Sequence, residues 1–299
     1  MSPTDPLSPN DLPAGGVEWR LDPLTRRPTV VVAARQDRPN LPSAGCPFCP
    51  GGLESPDPYD VRWFPNRWPA MPDQRCEVVL YTSAHDAQFW TLGTTGARRV
   101  VDLWAERTAA LGARDDVEYV LVFENRGAEV GATIPHPHGQ IYAFEQVPPA
   151  PLAELVDGVL APELVDDELV VARHDDWLAW VPDAAVYPFE LRLAPRSEVG
   201  ALTDPACDRD GLAACLVDCL ARLDQLFDAP MPYMLWIHQR PTDGRDWPEC
   251  RLHVHVTPML RRAGTARFVA AAELGAGVYF NPVAPRDAAA MLREQAGAS

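Results

Sequence analysis

The sequence predicts an α+β protein built from two modules of similar plan. Three observations lead there. Short runs such as residues 77–82 (EVVLYT) and 119–123 (YVLVF) are rich in β-branched and aromatic residues and show no helical period. Two longer stretches, 94–111 and 209–227, repeat apolar residues at helical spacing. The same order of elements then occurs twice, and each time it ends in a strand that carries a His-x-His pair. With 32 prolines and 19 glycines in 299 residues, turns must be frequent, which argues against a helical bundle.

Residues 1–16 read as a flexible, Pro-rich N-terminal arm. Residues 19–34 read as strand, turn and strand, with Asp22-Pro23 opening the turn. Residues 35–53 are loop-like and carry Cys46-Pro-Phe-Cys49. Strands are expected at 61–65, leading into Asn66, and at 77–82. The helix over 94–111 sets Ala97, Val100, Val101, Trp104 and Leu111 on one face. Strands at 119–123 and 140–144 complete the first half. The second half has strands at 178–181 and 189–194, a helix over 209–227, and strands at 233–237 and 252–256. Cys215 and Cys219 share one face of that helix and read as core. The Pro-rich residues 147–151 read as the hinge between a module over 17–147 and one over 148–299.

The net charge is −16, which argues against a general nucleic-acid binder. An anionic substrate would need a local cluster of Arg against that field. All 26 basic residues are Arg, so Schiff-base chemistry on Lys and the Walker A motif are excluded. No apolar run approaches the roughly 20 residues of a membrane helix. The polar N-terminus reads as neither a signal nor a transit peptide, so cytoplasm is the expected compartment. Seven cysteines in such a chain read as thiols or metal ligands.

The histidines carry more. The run 123–144 reads FENRGAEVGATIPHPHGQIYAF. In a strand, residues two apart share a face, so His136 and His138 can enter one site and Gln140 extends that line. Gly139 lacks a side chain, which would let a bulky ligand approach the backbone. Gly127 and Gly131 permit a loop whose amides face an anion, and Asn125 adds a neutral hydrogen bonder. An imidazole can attack phosphorus and split one transfer into two steps. Gln140, Thr133 and backbone amides can donate to the phosphoryl oxygens. Gln cannot act as a base, so Gln140 favours transfer to an acceptor over hydrolysis.

Cys46 and Cys49 form half of a zinc site, and no second Cys-x-x-C exists. His85 and His136 are the candidates to complete it, which leaves His138 for chemistry; two buried thiols without metal is the plainer alternative. His238, His253 and His255 lie on two adjacent predicted strands and suit zinc or iron with a carboxylate that spacing does not identify, or a polar cluster. His174, beside Asp175 and Asp176, reads as a solvated surface residue.

The segment FENRGAEVGATIPHPHGQIYA resembles the active-site segment of the galactose-1-phosphate uridylyltransferase family, within the histidine-triad superfamily. LDPLTRRPTVVVAARQDRP, FPNRWPAM, YPFELRLAPR and LHVHVTPMLRRAGTARFVAAAE extend the resemblance over about residues 17–295. It implies two histidine-triad-like modules, each an antiparallel sheet with packed helices, in a cytoplasmic homodimer with shared active sites. It implies ping-pong transfer of UMP from UDP-glucose to galactose 1-phosphate, with His138 as nucleophile and Gln140 as donor. Asn66 and Asn125 match uridine and phosphate contacts, Gly131 and Thr133 the phosphate loop, and Arg35 and Arg38 the diphosphate clamp. The structural zinc maps onto Cys46, Cys49, His85 and His136, and a second metal, Fe or Zn, onto Glu154, His238, His253 and His255. In the acceptor-binding stretch Arg267-Phe268 stands for the family's Lys-Phe, and Glu273 is kept. Ala272 stands where the family has Tyr, and Tyr279 where it has Gln. The rival expectations are a phosphorylase or nucleotidyltransferase of ADP-sugars or dinucleoside polyphosphates, and a non-catalytic nucleotide- and metal-binding protein.

Overall fold

The alternation seen in the sequence becomes one long sheet with two unlike faces. The computed structural model describes residues 18–32, 45–158 and 160–296. In chain order its elements are β1 (Glu18–Leu21), β2 (Pro28–Val31), β3 (Arg62–Pro65), β4 (Cys76–Leu80), α1 (Gly93–Gly112), β5 (Tyr119–Arg126), β6 (His138–Phe144) and α2 (Pro149–Asp157). There follow β7 (Val170–His174), β8 (Trp177–Trp180), β9 (Leu191–Pro195), α3 (Arg209–Gln225), β10 (Tyr233–His238) and β11 (His253–Pro258). The chain closes with β12 (Leu260–Arg262), β13 (Thr265–Ala266), α4 (Ala271–Ala276) and α5 (Pro285–Glu294).

Nine strands form one antiparallel sheet in the order β3-β4-β6-β5-β10-β11-β9-β8-β7. The two expected sheets therefore join through β5 and β10, where Phe123 pairs with Trp236. Along β6, Gly139, Ile141 and Ala143 are buried while His138, Gln140 and Tyr142 are half-buried. The buried set meets α1 and α3 in the main core, with Trp104, Val122, Leu216, Leu235 and Val254. Each fully buried aliphatic side chain there contributes about 1.5–3 kcal/mol. The alternate set, including Gln140, Phe123, Trp236 and His255, lies on the opposite face. The sequence periods place α1 and α3 correctly, and Cys215 and Cys219 are fully buried in α3.

Three sequence readings change. The Pro-rich stretch at 147–151 starts α2, because Pro is tolerated in a first helical turn where the missing N–H has no partner to lose. His174 is half-buried, with Nε2 2.8 Å from Asp218 Oδ2 on α3. The sequence reading omitted β7, α4 and α5; α5 is only ten residues long and buries a narrow stripe of Ala288, Ala289 and Leu292, opposite a charged face. Among the described residues no helix is long and apolar enough to cross a membrane.

Candidate active site and metal-binding clusters

His138 begins β6 on the open face, beside a cleft of about 740 Å³. Its Nδ1 lies 2.8 Å from the backbone oxygen of His136. Carbonyls only accept, so the ring proton sits on Nδ1 and Nε2 carries the lone pair. Phe48, within the Cys-x-x-C loop, packs its ring 5.1 Å from the His138 ring.

Gln140 is oriented by Asn66. Asn66 Oδ1 accepts from the Trp68 amide at 2.9 Å, and its Nδ2 donates to Gln140 Oε1 at 3.2 Å. The Gln140 oxygen is thereby engaged, and its NH2 group remains to donate. Asn66, Thr133, His138 and Gln140 all line the cleft. Gly131 has φ 80°, a left-handed turn in the loop that delivers Thr133. Asn125 lies two residues beyond Phe123 on the same strand face.

Gly139 has a different role from the one expected. A Cβ there would lie 2.1 Å from the Tyr81 hydroxyl and 3.0 Å from the Phe123 carbonyl oxygen. It faces the helices, not the cleft, so the absent side chain makes room for Tyr81. Near this point Glu124 is buried on β5 and accepts from the Tyr233 hydroxyl at 2.8 Å. Burial pushes its carboxyl up to about 7, against the pull of the Tyr233 hydroxyl and Arg126.

Cys46, Cys49, His85 and His136 bring one ligand atom each to within 4.8 Å of one another. His136 Nδ1 is 3.8 Å from Cys46 Sγ and 3.6 Å from Cys49 Sγ, and His85 Nδ1 is 3.4 Å from Cys49 Sγ. A tetrahedral zinc with bonds of about 2.0–2.3 Å separates its ligands by roughly 3.3–3.8 Å. His136 Nε2 donates to the Thr82 carbonyl at 2.7 Å, which turns the Nδ1 lone pair toward the thiols. Tyr59 donates to the Phe48 carbonyl at 2.6 Å and lies 2.9 Å from His136 Nε2. Burial lowers the His136 pKa and favours the neutral ring that a metal needs. Burial and then Cys46 raise the Cys49 thiol, so the pair favours a bound cation to become thiolates. The donor set fits zinc.

Glu154, His238, His253 and His255 form a second such group. Glu154 comes from α2, and its Oε2 lies 2.5 Å from His238 Nδ1 and 3.1 Å from His253 Nε2. Its Oε1 is 3.6 Å from His255 Nε2. His253 Nδ1 donates to the Arg251 carbonyl at 2.8 Å, the same two-residue device seen at His138. Burial works against the Glu154 charge, but hydrogen bonds from His238 and His253 override it and hold the carboxyl well below its usual range. Burial, then the neighbouring His253 and Arg192, push His255 down to about 2. Trp236 stacks on His255 at 4.7 Å. Gln140, Phe123, Trp236 and His255 stand opposite one another on four adjacent strands. At about 4.8 Å per strand, Gln140 and His255 are roughly 14 Å apart across the sheet.

Arg35 and Arg38 lie outside the described residues. Arg267 and Glu273 form a buried ion pair, and Glu273 also accepts from the amides of Ala270 and Phe280 at 2.7 and 2.9 Å. Those bonds, the Ala270 amide first, hold its carboxyl below the usual range. Phe268 is 82% exposed. Among the described residues, none of these three lines the cleft beside His138. Phe48, Tyr59 and Arg192 were missed by the sequence reading, because nothing in their spacing marks a contact formed across strands.

The chain resembles known proteins over most of its length. The profile for the galactose-1-phosphate uridyl transferase N-terminal domain matches residues 66–148, and that for the C-terminal domain matches 140–293. A galactose-1-phosphate uridylyltransferase of Thermotoga maritima is 34% identical, with 93% of this chain and 98% of that protein covered. A solved structure described as a uridylyltransferase superposes with TM-score 0.84 at 30% identity, covering 93% of this chain and 98% of the other. An ADP-glucose phosphorylase from Arabidopsis thaliana, solved with bound ADP-glucose, has TM-score 0.74 at 25% identity, with 94% and 99% covered.

Proposed function

The chain belongs to the galactose-1-phosphate uridylyltransferase family of transferase enzymes, and from that premise we propose that it transfers UMP from UDP-glucose to galactose 1-phosphate through His138. His138 Nε2 attacks the α-phosphorus of UDP-glucose, the bond to the bridging oxygen breaks, and glucose 1-phosphate leaves. A phosphate oxygen of galactose 1-phosphate then attacks the same phosphorus, and the P–N bond breaks. The observation that carries this reading is the bond from His138 Nδ1 to the His136 carbonyl, which presents Nε2 as the basic atom. Gln140 donates to the phosphoryl oxygens, where charge develops. Asn125, Gly131 and Thr133 flank the phosphates, and Arg35 and Arg38 clamp the diphosphate by their fork geometry.

The Cys46/Cys49/His85/His136 cluster holds zinc, and the Glu154/His238/His253/His255 cluster a second ion, Fe or Zn. The enzyme works in the cytoplasm as a homodimer. Leu274, Val278, Tyr279, Phe280 and Phe268 are all exposed between positions 268 and 280, an apolar stretch that a partner subunit would cover. Arg267, Phe268 and Glu273 then serve the acceptor sugar in the partner's cleft. The strands on either side of the β5–β10 junction are read as the two histidine-triad-like modules, 17–147 and 148–299.

A second reading, phosphorolysis of an ADP-sugar, is supported by the likeness to the Arabidopsis enzyme. Intact-protein mass spectrometry separates them. A gain of one uridylyl group with UDP-glucose, lost on adding galactose 1-phosphate, is the expected result. A gain only with ADP-glucose would replace the first reading by the second. No gain with either would favour ligand binding without chemistry.

A further inference from the structure

Arg192 sits beside the second cluster without a part in the proposed function. It lies on β9, opposite His255 on β11. Its Nη2 is 3.4 Å from His255 Nδ1, and its buried Nε has no hydrogen-bond partner among the described residues. A guanidinium has donors only, so the contact is a hydrogen bond only if His255 Nδ1 carries the lone pair. The ring proton is then on Nε2, the nitrogen that faces Glu154. That is the nitrogen that must offer a lone pair to an ion held by Glu154, His238 and His253.

Two other candidate-ligand imidazoles, one in each cluster, pose no such conflict. His253 gives its Nδ1 proton to the Arg251 carbonyl and keeps Nε2 for a ligand bond. His136 in the first cluster is fixed the same way by Thr82. Ligating histidines ordinarily present an N–H to an acceptor outside the metal shell. Of these three, His255 presents its outer nitrogen to a donor. To ligate, it must move its proton to Nδ1, which sets N–H against N–H, and Arg192 must withdraw. Room exists: Arg192 lines a pocket of about 90 Å³ with His238 and His253. The guanidinium also adds a positive charge beside a ligand group whose one acidic member is Glu154, in a pocket that Glu249 and Arg251 line as well.

We infer that Arg192 sets the metal affinity of the second cluster, holding His255 in the tautomer that does not ligate. The second cluster therefore takes a divalent cation more weakly than the first. This rests on the reading of both clusters as metal sites.

Cobalt titration of the chelator-stripped full chain tests it, with a chromogenic chelator as competitor. The thiolate-to-cobalt charge-transfer band reports the first cluster alone, since the second holds no sulfur. In the wild type the second equivalent should bind at least tenfold more weakly than the first. Arg192→Leu, and Arg192→Gln, whose amide oxygen can accept from Nδ1–H, should tighten the second equivalent by on the order of tenfold or more. Arg192→Lys keeps a donor-only cation and should stay weak. The first equivalent and its charge-transfer band should be unchanged in all, which also controls for folding. Equal affinity of the second equivalent in wild type, Leu and Gln forms would overturn the inference while leaving the metal reading intact. No second equivalent in any of them would overturn both.

Discussion

His138 Nδ1 lies 2.8 Å from the backbone oxygen of His136, so the candidate nucleophile is anchored to the main chain of a candidate metal ligand. The two side chains then have separable tasks. His138→Ala should give no uridylyl adduct while retaining the metal and the wild-type melting temperature. His136→Ala keeps the carbonyl but loses a ligand. It should lower metal affinity by more than the roughly 10–100-fold that loss of an outer-shell partner costs, and still form the adduct, only more slowly. Adduct mass spectra and metal analysis on the two variants read both effects.

Asn66 engages the Gln140 oxygen and so fixes which end of that amide is left to donate into the cleft. Without it the Gln140 amide is free to turn its oxygen toward the phosphoryl group. Asn66→Ala should lower kcat by on the order of tenfold, less than the roughly 100–1000-fold cost of removing a donor to a developing charge outright. KM for the acceptor should move little. A fall in affinity alone would assign Asn66 to binding instead.

Gly139→Ala puts a methyl 2.1 Å from the Tyr81 hydroxyl. The overpacking should cost about 1–3 kcal/mol. Adding Tyr81→Phe removes the clashing oxygen and should restore part of that loss in denaturant unfolding. If Gly139 instead served ligand approach, the single variant would be stable and inactive.

Glu124 makes stability depend on pH in an unusual direction for a carboxyl. Burial raises it to about 7 in the fold, against about 4.5 unfolded. The native state holds the proton that the unfolded state loses, so its contribution is complete below pH 4.5 and fades as pH rises through about 7. The span corresponds to on the order of 3 kcal/mol. Glu124→Gln should lack this slope, so the difference in unfolding free energy between wild type and variant should drift in favour of the variant from pH 4.5 to 7.

Much of the site was legible early because its signals are local. The Cys46-x-x-Cys49 spacing and the two His-x-His pairs set side chains on one loop or one strand face, and those short-range geometries survive any packing. The strand at β6 and the helices α1 and α3 followed from their periods. Other features had no local signal. Gly139 looked like a place for a ligand because the sequence does not say which face of β6 meets Tyr81. The start of α2 within the proline run at 147–151 has no sequence signal of its own, because a first helical turn and a loop both accept Pro.

The sequence by itself determined the family, the α+β class, the His-x-His and Gln140 pattern of the candidate active site, and both metal-ligand candidate sets, the second through family resemblance. Only the tertiary structure decided that the two halves share one sheet through Phe123 and Trp236, that Asn66 aims Gln140, and that Phe48 packs on His138. It alone set Arg192 against His255. The physical reason is that periodicity and spacing encode which face a residue takes within its own element. Cross-strand register brings together residues far apart in the chain, and no local pattern records it.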